Sequence, residues 1–172
     1  MWQTGPRPAP EKGIAENGEI CFETHTRYRQ WMDFMDHVRV TAGSVTFIAT
    51  FESEAAPRTV AAFRTMLPYC NRIIHVRWSG EACWIPMGDF DLGLGFENAT
   101  AYPLPGQILL YPGGVSETEI LLAYGHTHFA SKAGTLAGNH FLTIRDNLEA
   151  LTVLGKKTLW EGAQDIVFEI AA

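Results

Sequence analysis

Cysteine is scarce in this sequence, and its three copies, Cys21, Cys70 and Cys83, share no metal-ligand spacing and cannot all pair. That argues against a disulfide scaffold and for a reduced, cytoplasmic protein. Basic charge is also short: 13 Lys and Arg stand against 19 Asp and Glu, for a formal charge of −6. Nucleic acid selects a basic footprint, so no nucleic-acid partner is expected. Long apolar runs are missing, and the longest, Val45–Phe51 and Ile120–Tyr124, are strand-sized. A membrane helix needs about 20 apolar residues, so no membrane partner is expected. The opening MWQTGPRPAPEKG has no apolar stretch of the kind a secretory leader carries. Ser116 sits in no Gly-x-Ser-x-Gly elbow, and no Lys-Ser/Thr follows Gly88, Gly93 and Gly95 to complete a phosphate loop. No motif calls for a cofactor.

What the sequence has instead is alternation. Gly43–Glu52 places Val45, Phe47, Ala49 and Phe51 on one side and Thr46, Ile48 and Thr50 on the other, the period of a strand. Arg72–Val76 and Ala82–Ile85 read as strands around a turn at Ser79-Gly80, and Asp165–Ile170 as an alternating last strand. Gln107–Tyr111 and Glu119–Tyr124, joined through Pro112-Gly113-Gly114, read as adjacent antiparallel strands. Asn139–Thr143 is a further strand, and Gly88–Thr100 a loop holding one short strand.

Two helices interrupt the strands. Pro57 suits a first helical position, Val60, Phe63 and Leu67 line one face, and Pro68 ends the helix. A capping pattern at Thr143–Asp146 starts the second helix, Leu148, Leu151 and Leu154 form its buried stripe, and Gly155 marks its stop. At 172 residues the chain fits one main domain. Residues 1–42 read as an N-terminal extension, a tail plus a short helix over Arg27–His37 carrying Trp31, Phe34, Met35 and Val38. That stripe packs on its own domain or builds a homo-oligomer contact. Residues 43–172 form the strand-rich domain. Many short antiparallel strands favour closure, which leaves no bare edge, with the helices covering the ends.

Four segments carry a resemblance. Ala56-Pro57-Arg58-Thr59-Val60-Ala61-Ala62-Phe63, after a strand, resembles the first strand and helix of cyclophilins and their bacterial relatives. Arg77–Ala82, Gly106–Gly114 and Leu122–Thr127 resemble a turn, a strand and a strand end of small bacterial cyclophilin-like proteins. From Gly43 to Ile170 the chain is similar to an uncharacterised bacterial family with that fold. The resemblance implies a mainly β architecture, a closed cyclophilin-like β-barrel with two covering α-helices. It does not imply prolyl isomerisation. Asn71-Arg72-Ile73-Ile74 aligns with the arginine-bearing strand of true cyclophilins, but His75-Val76-Arg77-Trp78-Ser79-Gly80 follows where they carry a Phe-Met-x-Gln cluster.

The chemistry-bearing residues point to a small-molecule ligand. Arg77 beside Trp78 and Trp84 is suited to a carboxylate or to ring stacking. Tyr111, Glu117 and Tyr124 lie on or near the central hairpin, Asn139 and His140 on the strand after it. His126 and His128, one residue apart, would face the same side of a strand. With His140 they offer three nitrogens to a metal, the basis of an alternative reading as a His-ligated metal enzyme, beside that of a residual peptidyl-prolyl isomerase. The expected ligand is a small molecule or acidic metabolite, bound at the barrel without a metal.

Overall fold

A computed structural model describes residues 36–171. Its strands are β1 (His37–Ala42), β2 (Val45–Phe51), β3 (Tyr69–His75), β4 (Gly80–Gly88), β5 (Ala99–Thr100), β6 (Gln107–Tyr111), β7 (Thr118–Thr127), β8 (Ala130–Ser131), β9 (Gly134–Thr135), β10 (Gly138–Ile144) and β11 (Gln164–Ile170). Helix α1 covers Pro57–Arg64 and α2 covers Leu148–Trp160. Eight strands run β2-β1-β11-β3-β4-β7-β6-β10, and β10 returns to pair with β2, so the sheet closes into an antiparallel barrel. The short β5 adds to β10, and β8–β9 form a separate hairpin.

The alternation of β2 turns Phe47, Ala49 and Phe51 inward, all buried. Phe141, Ile166 and Phe168 join them from β10 and β11, and an eight-stranded barrel is just narrow enough for side chains to fill. Phe63 of α1 enters this core, with its ring edge-on to Phe141 at 4.8 Å and to Phe168 at 5.4 Å. A second, smaller apolar cluster lies on the outer face of the barrel. There Leu109, Tyr111 and Leu121 pack with Phe129 and Leu136, which flank the β8–β9 hairpin.

Several expectations are corrected. The first barrel strand, β1, lies before Gly43 in the stretch assigned to the N-terminal extension, and pairs with both β2 and β11. Val38, Val40 and Ala42 are fully buried every second residue, a period the helical stripe ending at Val38 obscured. The rest of the helix expected over Arg27–His37 lies outside the described residues. Thr143 caps no helix, because it is still in β10 and its hydroxyl donates to Glu52. Helix α2 starts at Leu148, which is exposed, while Leu151 and Leu154 are buried as expected. The helix also continues past Gly155 to Trp160. Gly155 is a packing position: a Cβ there would run into the ring of Tyr124.

Candidate functional site

Strand β3 ends at His75, a short 3-10 turn spans Arg77–Ser79, and β4 begins at Gly80. The turn meets the far end of β7, because Gly80 pairs with Thr127. The register slips between Gly80 and Ala82, a bulge of the kind that re-aims side chains at a barrel rim. Here opens a hollow of about 450 Å³ lined by Arg77, Trp78, Gly80, His126, Thr127 and His128. Gly80 has φ +95°, and a Cβ on it would stand 2.5 Å from the carbonyl oxygen of His126. Only glycine adopts that backbone and leaves the rim open.

Glu81 holds the rim in place. Its Oε2 accepts from the backbone N–H of His126 at 2.7 Å, and its carbonyl accepts from the Thr127 hydroxyl at 3.0 Å. Glu81 makes no ion pair with Arg77 across the turn. Among the described residues, no carboxylate makes an ion pair with Arg77. Arg77 thus lines the hollow without a counter-charge in ion-pair reach among the described residues.

Behind the rim, on the inner face, α2 lies against β3, β4 and β7. His75 Nε2 is 2.7 Å from the Tyr124 hydroxyl, and its Nδ1 is buried without a partner among the described residues. Burial first, and Arg77 second, hold the His75 ring below its usual pKa, which favours the neutral imidazole. Burial raises the Tyr124 phenol, with Cys83 and Glu81 adding to it. Cys83, 3.1 Å from the Thr158 hydroxyl, is pushed up to about 11 by burial and is a packed thiol rather than a nucleophile.

The structure gathers four of the expected residues, Arg77, Trp78, His126 and His128, around one hollow. Trp84 stands behind Trp78 at 6.0 Å, and Tyr124 lies on the inner face beside His75. The other four lie elsewhere. Tyr111 and Glu117 sit by the start of β7, roughly 25–30 Å from its His126 end at the rise of a strand. The Tyr111 hydroxyl accepts from the Val115 N–H, and Glu117 accepts from the Gly88 N–H at 3.0 Å.

Asn139 is fully buried, and its amide is spent inside the fold. It donates to Thr59 and to the Gly95 carbonyl, and it accepts from the Glu97 N–H. Glu97 in turn accepts from the Thr59 N–H and from Arg58 at the start of α1. Partial burial pushes its carboxyl up, but these bonds outweigh that and hold it below the usual range. His140 lies on β10, 2.8 Å from the Thr143 hydroxyl and 3.7 Å from Glu52. Burial lowers its pKa against the pull of Glu52. His140 is thus held by its own strand, and among the described residues no three His, Cys, Asp or Glu side chains come together as a metal site.

Two contributors carry no sequence signal. Tyr102 stacks on His128, with centroids 4.8 Å apart and planes 11° from parallel, although 26 residues separate them. His75 reads as an ordinary strand residue until the barrel turns it toward Tyr124.

Residues 38–170 match the model of a family described as protein of unknown function, DUF3830. No curated protein matches the chain in sequence. Two solved structures share its fold. One is that of McbB in complex with tryptophan, with a TM-score of 0.61 and 16% identity, aligned over 77% of this chain and 44% of that one. This chain thus spans less than half of McbB's length. The other is the solution structure of the hypothetical protein AF2241 from Archaeoglobus fulgidus, with a TM-score of 0.54 and 16% identity, aligned over 81% of this chain and 97% of that one. At such identity the likeness is one of fold. No helix among the described residues is long and apolar enough to cross a membrane.

Proposed function

We propose, for a chain that belongs to the DUF3830 family of proteins of unknown function, that the hollow at the β4–β7 rim binds a small molecule through its carboxylate. The observation that carries this is Arg77, a guanidinium with no ion-pair partner among the described residues, lining an open hollow beside Trp78, His126 and His128. A guanidinium offers two parallel N–H donors that match the two oxygens of a carboxylate. The hollow lies within the size range of small-ligand pockets and sets a few polar groups among aromatic ones. Its rim is fixed before a ligand arrives, because Glu81 and Gly80 set the end of β7 against the turn. A fixed rim lowers the ordering cost of binding.

McbB, a fold neighbour, is seen with tryptophan, itself a carboxylate on an aromatic frame. The assignment here rests on Arg77 and not on that likeness. The role proposed is binding, in a cytoplasmic protein, without prolyl isomerisation, since the residues after Arg72 differ from those of the isomerases. Clear turnover in a proline-isomerisation assay would contradict that part.

Calorimetry with benzoate, compared with neutral benzamide, tests the carboxylate reading. Benzoate should bind the native protein more tightly than benzamide does. Arg77→Met should weaken benzoate at least about tenfold, the scale of one charge-assisted contact, and leave benzamide unchanged. Equal affinities for the two compounds in the native protein would overturn the proposal.

A further inference from the structure

We infer that the ligand of this hollow carries a flat aromatic ring received between Trp78 and His128, and that Tyr102 and Trp84 are positioning residues bracing those two walls. This rests on the carboxylate-binding reading of the same hollow.

Trp78 lines the hollow and is 57% exposed, a large indole surface left open to solvent. It is not a loose side chain. Its ring meets Trp84 edge-on at 6.0 Å and 68°, and Trp84 is packed on the outer apolar cluster of the barrel. Trp84 does not line the hollow, so it supports Trp78 from behind.

The second ring of the lining is held the same way. His128 also lines the hollow, and three neighbours set its ring. Its Nε2 is 3.1 Å from the Thr135 hydroxyl, its backbone N–H donates to the Ser79 carbonyl at 2.9 Å, and Tyr102 stacks on it nearly parallel. Tyr102 is itself anchored on both sides. Its N–H donates to the Thr100 hydroxyl at 3.1 Å, and the preceding Ala101 carbonyl accepts from Phe129 at 2.7 Å. Since Tyr102 does not line the hollow, it covers the rear of the imidazole and leaves the other face to a ligand.

Two flat, braced rings that share one lining with a guanidinium free of ion pairs among the described residues favour a planar anion. A saturated carboxylate would meet Arg77 equally well but gain little from the walls. Stacked rings contribute beyond their buried area, and held walls lose little freedom on binding.

Calorimetric titrations with benzoate, indole-3-acetate and cyclohexanecarboxylate separate the two claims. The aromatic acids should bind about tenfold more tightly than the saturated one. Tyr102→Ala should remove most of that preference while leaving cyclohexanecarboxylate affinity and thermal unfolding unchanged, and Tyr102→Phe, which keeps the stacking ring, should restore it. Equal binding of aromatic and saturated acids by the native protein would overturn the aromatic slot and leave the Arg77 reading standing. Failure of all three acids to bind would overturn the carboxylate reading, and the slot with it. A preference that survives Tyr102→Ala intact would remove Tyr102 from its positioning role.

Discussion

Replacing Glu119 with Gln should stabilise the protein at neutral and alkaline pH and leave it unchanged in acid. Glu119 lies on β7 opposite Pro86 of β4 and Tyr111 of β6, and it is 4% exposed. Tyr111 and Glu117 are the ionisable groups near it on the flanking elements. Glu117, two residues away, is a like charge. Burial, with Glu117 second, pushes the Glu119 carboxyl up to about 7 from its ordinary 4.5. The sign follows from which state loses its proton first. Below about pH 4.5 both states are protonated and nothing is lost. Between about 4.5 and 7 the unfolded chain ionises while the folded one does not, so stability falls as pH rises.

At about 1.4 kcal/mol per unit, the loss reaches about 3 kcal/mol above pH 7. For a chain of this size that corresponds to a melting shift of roughly 5–10 °C. Glutamine keeps the shape and cannot ionise. Urea unfolding of both proteins from pH 4.5 to 8.5 gives the assay, and the difference between the two curves isolates Glu119. His75, His140 and Glu97 titrate in both proteins and cancel. The expected difference is near zero at pH 4.5 and grows to about 3 kcal/mol by pH 8. A constant difference, or one that shrinks with rising pH, would refute the reasoning.

Phe63→Ala should cost about 3–5 kcal/mol in urea unfolding, because it empties the space between α1, Phe141 and Phe168. A loss below about 1 kcal/mol would mean the ring does not fill the barrel end. Gly155→Ala, a change that stabilises an exposed helix by about 1 kcal/mol, should here destabilise by about 1–3 kcal/mol, since the new methyl meets Tyr124. Thermal melting decides the sign. At Arg77, the expected loss of at least about tenfold in benzoate affinity should come with no change in melting temperature, because the side chain holds no ion pair among the described residues.

Legibility from sequence followed locality. The alternation of β2 and the hairpin of β6 and β7 are written in runs of five to ten neighbouring residues, and the structure carries them, with β7 running past the expected end at Tyr124 to Thr127. Strand β1 was masked because Val38 completes a helical stripe with Trp31 and Met35 as readily as it begins the Val38, Val40, Ala42 alternation. Gly155 misled for a related reason. Glycine marks a helix end by its backbone freedom, but here it is required by Tyr124, a neighbour brought close only by tertiary packing.

The site divides along the same line. Arg77, Trp78, His126 and His128 sit at the ends of adjacent paired strands, so short motifs locate them. Asn139 and His140 have equally suggestive side chains, yet their partners, Thr59 and Thr143, lie inside the fold. Polar residue type alone does not separate a group that holds the barrel together from one that faces a ligand. Tyr102 is invisible for the opposite reason, since its one distinguishing contact crosses from the loop after β5 to the residue after β7.

The most direct measurement is an amide chemical-shift map of the protein titrated with benzoate. Shifts should concentrate at Arg77, Trp78, Gly80, Thr127 and His128, saturate with added benzoate, and vanish in Arg77→Met. Shifts that gather instead around Glu117, Tyr111 or His140, or that persist unchanged in Arg77→Met, would contradict a carboxylate site at the β4–β7 rim.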